Sequence, residues 1–305
     1  MYLFFIYIPV FIVDRQSVDY AIGRPFIVHG RSRTTSSQSC NIGSLKHDAS
    51  WSMGQETPAF ANNQHNQEIG RRWLELAEAE HASVASFARH TLQLMSIGAP
   101  SSLLVASQQA SLDEIKHAKM CYGLASAFIG SDVGPGLLDV NGSIDSMDLK
   151  EIIRSVIQEG CIGETLSAIE ARLAAHNAQH DTIKATLSQI ASDETSHAQL
   201  AWDTINWIIK RYPDTRTFVE ETFRDELQRR LIPARNDVPL MHTTLCSDSS
   251  EKETSFRKYG LLVMRDRDKV REAGISDIIA PVYGAGFKDV SMISKQISQM
   301  DVATL

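Results

Sequence analysis

Two six-residue stretches of this chain nearly repeat: Asp113-Glu114-Ile115-Lys116-His117-Ala118 and Asp193-Glu194-Thr195-Ser196-His197-Ala198. Residues three apart share a face of a helix, so Glu114 and His117 point one way, as do Glu194 and His197. The surrounding spacing makes this face apolar. Ala110, Glu114, His117, Cys121, Leu124 and Phe128 follow a 4-3-4-3-4 rule, and Ile183, Leu187, Ile190, Glu194, His197 and Ala201 follow the same one. The charged groups therefore lie in the middle of two core stripes. Burying them costs several kcal/mol each unless something pairs with them, and a metal cluster satisfies them together. Carboxylate and imidazole in this combination suit iron or manganese. Random placement of seventeen Glu and ten His gives roughly half of one ExxH in such a chain. Three occur, the third being Glu78/His81, but chance does not explain two at matching points of matching helices.

The helices carrying the repeats each close a hairpin. Helical periodicity runs over residues 67–97 and 101–129, broken by Ile97-Gly98-Ala99-Pro100, and again over 147–176 and 181–211, broken near Asn177–Asp181. Residues 130–145, rich in Gly and Asp, join the two pairs without helical periodicity. Two helical hairpins linked by one long crossover is the layout of a ferritin-like four-helix bundle. The expected fold is therefore all-α, with a fifth helix over 214–231 stopped by Pro233 and irregular arms at both ends. Three segments follow: residues 1–66, an apolar start and polar arm; 67–211, the bundle; 212–305, a C-terminal helix and tail. In the tail, 234–255 reads as a polar linker, and the alternating charges Arg265 to Lys269 read as a solvated helix face.

A site in such a bundle needs one further Glu from the first helix of each hairpin. Ligands at one height should be equally far from the turn. Glu114 lies 16 residues after Gly98 and Glu80 18 before it, with Glu78 fitting a little worse. Glu194 lies 15 residues after Gln179 and Glu164 15 before it. Glu159 misses by five residues, about 7.5 Å of helix rise. The third helix has an apolar face that shifts near Gly160 and Gly163, so a local distortion bringing Glu159 into the site stays open.

The pattern Glu80 … Glu114-x-x-His117 … Glu164 … Glu194-x-x-His197 resembles the di-iron carboxylate signature of the ferritin, rubrerythrin and ribonucleotide reductase small-subunit superfamily, over just under half of the chain. GRPFIVHGRSR at Gly23–Arg33 and EHASVASF at Glu80–Phe87 are similar to bacterial ferritin-like domain proteins, often exported, with no assigned substrate. The resemblance implies two iron ions, or manganese. Glu114 and Glu194 would bridge or cap them, His117 and His197 would bind one each, and Glu80 and Glu164 would complete the shells. Asp113 and Asp193 stand where such proteins hold the opposite histidine by its other nitrogen. The function implied is a non-haem oxidoreductase activating O2 or peroxide with a reductant or small-molecule substrate. A ferroxidase-type detoxifying protein and a metal-free helical scaffold are the alternatives.

Departures from the pattern narrow this. Cys121 stands where a radical-forming tyrosine would, and Tyr122 is turned about 100° off the metal face. No CxxC pair is present, which removes an electron-transfer iron site, and arms of 66 and 94 residues fit a closed storage cage poorly.

Net charge is −7, and no basic stripe is interleaved with aromatics, which argues against nucleic acid as a partner. A homodimer stays open. The four cysteines Cys40, Cys121, Cys161 and Cys246 are scattered without a CxxC pair, which argues against a disulfide scaffold, and Cys121 and Cys161 read as buried free thiols. Trp73, Trp202 and Trp207 read as core or interface residues, His81 as a histidine beside the site or on the surface, with an extra metal ligand as the alternative, and His90, His176 and His180 as solvated residues near turns. Residues 1–13 form an apolar run too short to span a bilayer and without a basic start. A weak export signal and an N-terminal extension both fit it, so the compartment is undetermined.

Overall fold

The computed structural model describes residues 24–35, 37–39, 49–51, 64–231 and 249–305. The apolar start, Cys40, Pro233 and Cys246 lie outside them. Among the described residues, no helix is long and apolar enough to cross a membrane.

Helical periodicity becomes helix where the sequence places it. Helix α1 spans Asn66–Ser96 and α2 spans Ser101–Ile129. Gly98 adopts φ +68° between them, where an L side chain would be strained. The Gly98 N–H then donates to the Met95 carbonyl and the Ala99 N–H to that of Leu94, satisfying two groups orphaned at the helix end. The second pair runs from α3 (Leu149–Ser155) through a nine-residue π-helical segment (Val156–Glu164) into α4 (Thr165–Asn177). Helix α5 (Asp181–Arg211) returns, with Lys210 and Arg211 complementing the negative end of its dipole. The hairpins meet along α2 and α5, the two helices that carry the repeat. The expected fifth helix is α6, Arg216–Leu231.

The polar arm and the crossover are tied to each other. Strands β1 (Ile27–Val28) and β2 (Arg31–Ser32) form a hairpin. Strand β3 (Ser37–Ser39) pairs antiparallel with β4 (Val133–Pro135) inside the crossover. Arg33 adds hydrogen bonds to the carbonyls of Asp139 and Asn141. Phe26 and Val28 bury against Ala82 of α1.

The tail is mostly helical: α7 (Ser249–Lys258), which starts inside the stretch expected to be linker, α8 (Met264–Gly274), a π turn (Ile275–Ile279), α9 (Ala280–Gly284) and α10 (Ile293–Gln299). The charged run in α8 is not wholly solvated. Asp266 is buried, accepts both Arg257 Nε and Nη2 at 2.9 Å, and receives the Val263 N–H at the helix start. Arg265, Asp268 and Lys269 are exposed as expected. The tail buries Val270, Ile278, Ile279, Ile293 and Ile297 in the same core as Ile169, Trp202 and Ile205. Trp202 stacks on Phe223 with centroids 5.3 Å apart, and its Nε1–H donates to Thr165 Oγ1. Trp73 is also buried, and Trp207 partly so.

Gly260 marks the join between tail and bundle. Its φ is +74°, and a Cβ there would stand 2.5 Å from Leu187 Cδ1 and 2.8 Å from Ile183 Cγ2. Backbone strain and overpacking therefore act together. Gly260→Ala is expected to lower stability by about 2–3 kcal/mol in urea unfolding; no change in midpoint would mean that the tail lifts away at little cost.

Candidate metal centre

Four helical segments deliver one cluster. Helix α1 brings Glu80, α2 brings Glu114 and His117, the last residue of the π segment is Glu164, and α5 brings Glu194 and His197. Ligand atoms of Glu80, Glu114, His117 and Glu194 lie within 4.8 Å of one another, and so do those of Glu114, Glu164, Glu194 and His197. Either group could hold an ion, and the two share Glu114 and Glu194. Every one of the six residues is at most 2% exposed. Glu80, and not the half-buried Glu78, joins the cluster.

The histidines are aimed. His117 Nδ1 faces Glu194, Glu80 and Glu114 at 3.5–3.7 Å, while its Nε2–H donates to Asp193 at 3.0 Å. His197 Nδ1 faces Glu114 at 3.2 Å and Glu194 at 3.7 Å, with Nε2 turned to Asp113 at 3.8 Å. Each aspartate thus stands behind the histidine of the opposite helix: Asp193 fixes the His117 ring by a hydrogen bond and raises basicity at its inward nitrogen, while Asp113 faces His197 Nε2 beyond hydrogen-bond distance. The aspartates are held in turn: Gln109 donates to Asp113 and Gln189 to Asp193, both at 3.0 Å. Sequence reading missed these glutamines, although the repeat contains them. Gln109 and Gln189 each stand four residues before the aspartate, so the repeat is Gln-x-x-x-Asp-Glu-x-x-His-Ala.

The donor set could hold a metal ion. Among the described residues, both oxygens of Glu80, Glu114, Glu164 and Glu194 lack a hydrogen-bond donor, as does Nδ1 of each histidine. Groups buried this deeply normally have partners. Burial, and then the charge of Glu114, pushes Glu80 well above the usual carboxylate range; burial and Glu194 do the same to Glu164. Burial would raise Glu114 and Glu194 too, but His117 and His197 outweigh it and hold both low. Burial would likewise lower the histidines, yet the attraction of Asp193, Glu114 and Glu194 raises His117, and that of Asp113, Glu114 and Glu194 raises His197. Without metal, these shifts favour charged His117 and His197 beside ionised Glu114 and Glu194, and favour the neutral form of Glu80 and Glu164. Two divalent cations would balance all four carboxylates once those protons leave. Loading two ferrous or manganous ions near neutral pH is accordingly expected to release about four protons, read by calorimetry in buffers of different ionisation enthalpy. Release near zero would place the ions elsewhere.

The other candidates lie outside the cluster. The π segment is the distortion that left Glu159 open, but it delivers Glu159 to arginines. Glu159 accepts Arg89 Nη2 at 2.5 and 2.6 Å and Ser86 Oγ at 2.9 Å, and lies 3.5 Å from Arg24 Nε. His81 is partly buried, its ring edge-on to Trp51. Cys121 is a buried thiol beside Glu80 and His117, pushed up in pKa mainly by burial, and Cys161 is buried as well. Tyr122 is buried edge-on to Trp51. His176 is exposed and His180 partly so, but His90 is fully buried, against the expectation of a solvated residue.

Protein-family models, curated proteins and solved structures yield no match to this chain.

Proposed function

We propose that this chain is a ferritin-like carboxylate protein that holds two iron ions, or two manganese ions, and acts as an oxidoreductase on O2 or peroxide. The observation that carries the reading is the pair of buried ligand groups sharing Glu114 and Glu194. A shared pair of carboxylates is what two neighbouring cations need between them, and one Glu and one His remain for each. When bound, a pair of redox-active ions supplies electrons to a small oxidant, to be restored by an organic substrate or by ferrous iron.

The chain's own residues do the rest. Asp193 holds His117 with Nδ1 inward, Asp113 stands 3.8 Å behind His197 Nε2, and Gln109 and Gln189 hold the aspartates. Apolar neighbours keep bulk water out: Phe87 lies edge-on to His197 with centroids 5.0 Å apart. Exposure of 2% or less at every proposed ligand favours a reactant the size of O2 or peroxide.

Metal content per chain tests this directly. About two iron or manganese per chain is expected after anaerobic loading, lost in both Glu114→Ala and Glu194→Ala because each removes a group common to both ions. Oxygen consumption by the loaded protein with ferrous iron, and then with organic reductants, separates ferroxidase from oxygenase chemistry. Metal well below one per chain, unchanged in the variants, would overturn the reading and leave a helical scaffold.

A further inference from the structure

Beside the carboxylate cluster lies a second buried polar group with the opposite problem. Arg24, Arg89, Glu159, Ser86 and His90 are all 6% exposed or less. Arg24 Nε donates to Ser86 Oγ at 3.1 Å, and Ser86 donates to Glu159. Arg89 takes both Glu159 oxygens with one nitrogen and gives another to the Ile27 carbonyl. Among the described residues, Glu159 is the carboxylate within ion-pair reach of either guanidinium. Two positive charges thus face one negative charge, in the interior.

The excess is accompanied by donors with nothing to donate to. Arg24 Nη1 and Nη2, Arg89 Nε and both ring nitrogens of His90 are buried without a hydrogen-bond partner. Arg24 lies over the Phe87 ring at 5.0 Å and Arg89 over Phe26 at 5.1 Å, contacts that favour a cation but leave its N–H groups unmet. Water could accept from these donors, yet it would leave a unit charge uncompensated where compensation matters most.

We propose that Arg24, with His90 and Arg89 beside it, binds a small monovalent anion, a halide or a short carboxylate such as formate. A guanidinium edge offers two parallel N–H groups to such a ligand, and an imidazole N–H adds a third. Burial, and then the charges of Arg24 and Arg89, keep His90 neutral, so it serves as one donor without adding charge. The anion would fasten the N-terminal segment carrying Arg24 to α1, which carries Arg89 and His90. Phe87, between Arg24 and His197, makes this fastening a neighbour of the carboxylate cluster. Nothing here depends on metal being bound.

Thermal unfolding of the metal-free full chain at constant ionic strength tests it, in sodium chloride, bromide, formate or gluconate. The small anions are expected to raise the midpoint by about 5 °C over bulky gluconate at a hundred times the dissociation constant. The halide and formate arms show which is preferred. The rise should vanish in Arg24→Met and shrink in His90→Phe. Wild-type crystals grown in bromide give a readout that does not depend on the variants folding: an anomalous peak at Arg24 Nη1 or Nη2. Equal midpoints in all four salts, or bromide peaks only elsewhere with water at Arg24, would overturn the proposal.

Discussion

Loading the metal-free protein with ferrous or manganous ions is expected to raise its thermal unfolding midpoint by roughly 15–30 °C. Two ions, each at a thousand times its dissociation constant, stabilise the folded state by about 8 kcal/mol in total, and a chain of this size gains about 2–4 °C per kcal/mol. The effect should be absent in Glu114→Ala/Glu194→Ala. It should also widen as pH rises. In the metal-free protein, Glu80, Glu164, His117 and His197 keep protons that the unfolded chain gives up near 4.5 and 6.5. Groups raised in this way contribute stability that is fully present below those values and is lost as pH climbs from them to the raised folded-state values. Metal binding moves the other way, because protons compete with the ions for the same atoms. Differential scanning calorimetry with and without metal at pH 5.5 and 7.5 separates the two trends. A gap that narrows with pH would mean that these four groups are not where the ions bind.

Glu159 and Glu164 stand five residues apart in one π segment, and their substitutions are expected to have opposite signatures. Glu159→Ala leaves Arg24 and Arg89 without a carboxylate inside the protein, at a cost of about 3–5 kcal/mol. Its metal content should stay at the wild-type level. Glu164→Leu removes a carboxyl group that burial already penalises, so the metal-free chain should be at least as stable as wild type. Its metal content should fall to about one ion per chain, since the residues facing Glu80 stay intact. Urea unfolding and metal analysis on both variants read this out. Loss of metal in Glu159→Ala with full occupancy in Glu164→Leu would exchange the two roles.

The cluster was legible because a helix converts spacing into direction. A Glu and a His three apart on an apolar stripe have to enter the core, whatever the partner helix does, and the hairpin arithmetic set Glu80 and Glu164 at the same height. Glu159 was not decided in this way, because counting residues assumes 3.6 per turn and the π segment breaks that assumption. Its fate depended on Arg89, 70 residues earlier, and on Arg24, from a segment that reads as an arm. His90 was misread for a related reason: nearness to a turn says little about exposure when another segment covers that turn. Asp266 lost its solvated character to Arg257, across a break in the helix.

The sequence by itself determined the bundle helices and the fifth helix, their hairpin pairing and the six inward-facing residues, all of which follow from interactions within about one helical turn or from the distance to a turn. Only the tertiary structure decided which strand the arm pairs with, how the tail joins the core, and where the buried charges Glu159, Arg24 and Arg89 meet. Those outcomes rest on contacts between residues far apart in the chain. Their free energy comes from desolvation and charge pairing that exist only once the segments have packed.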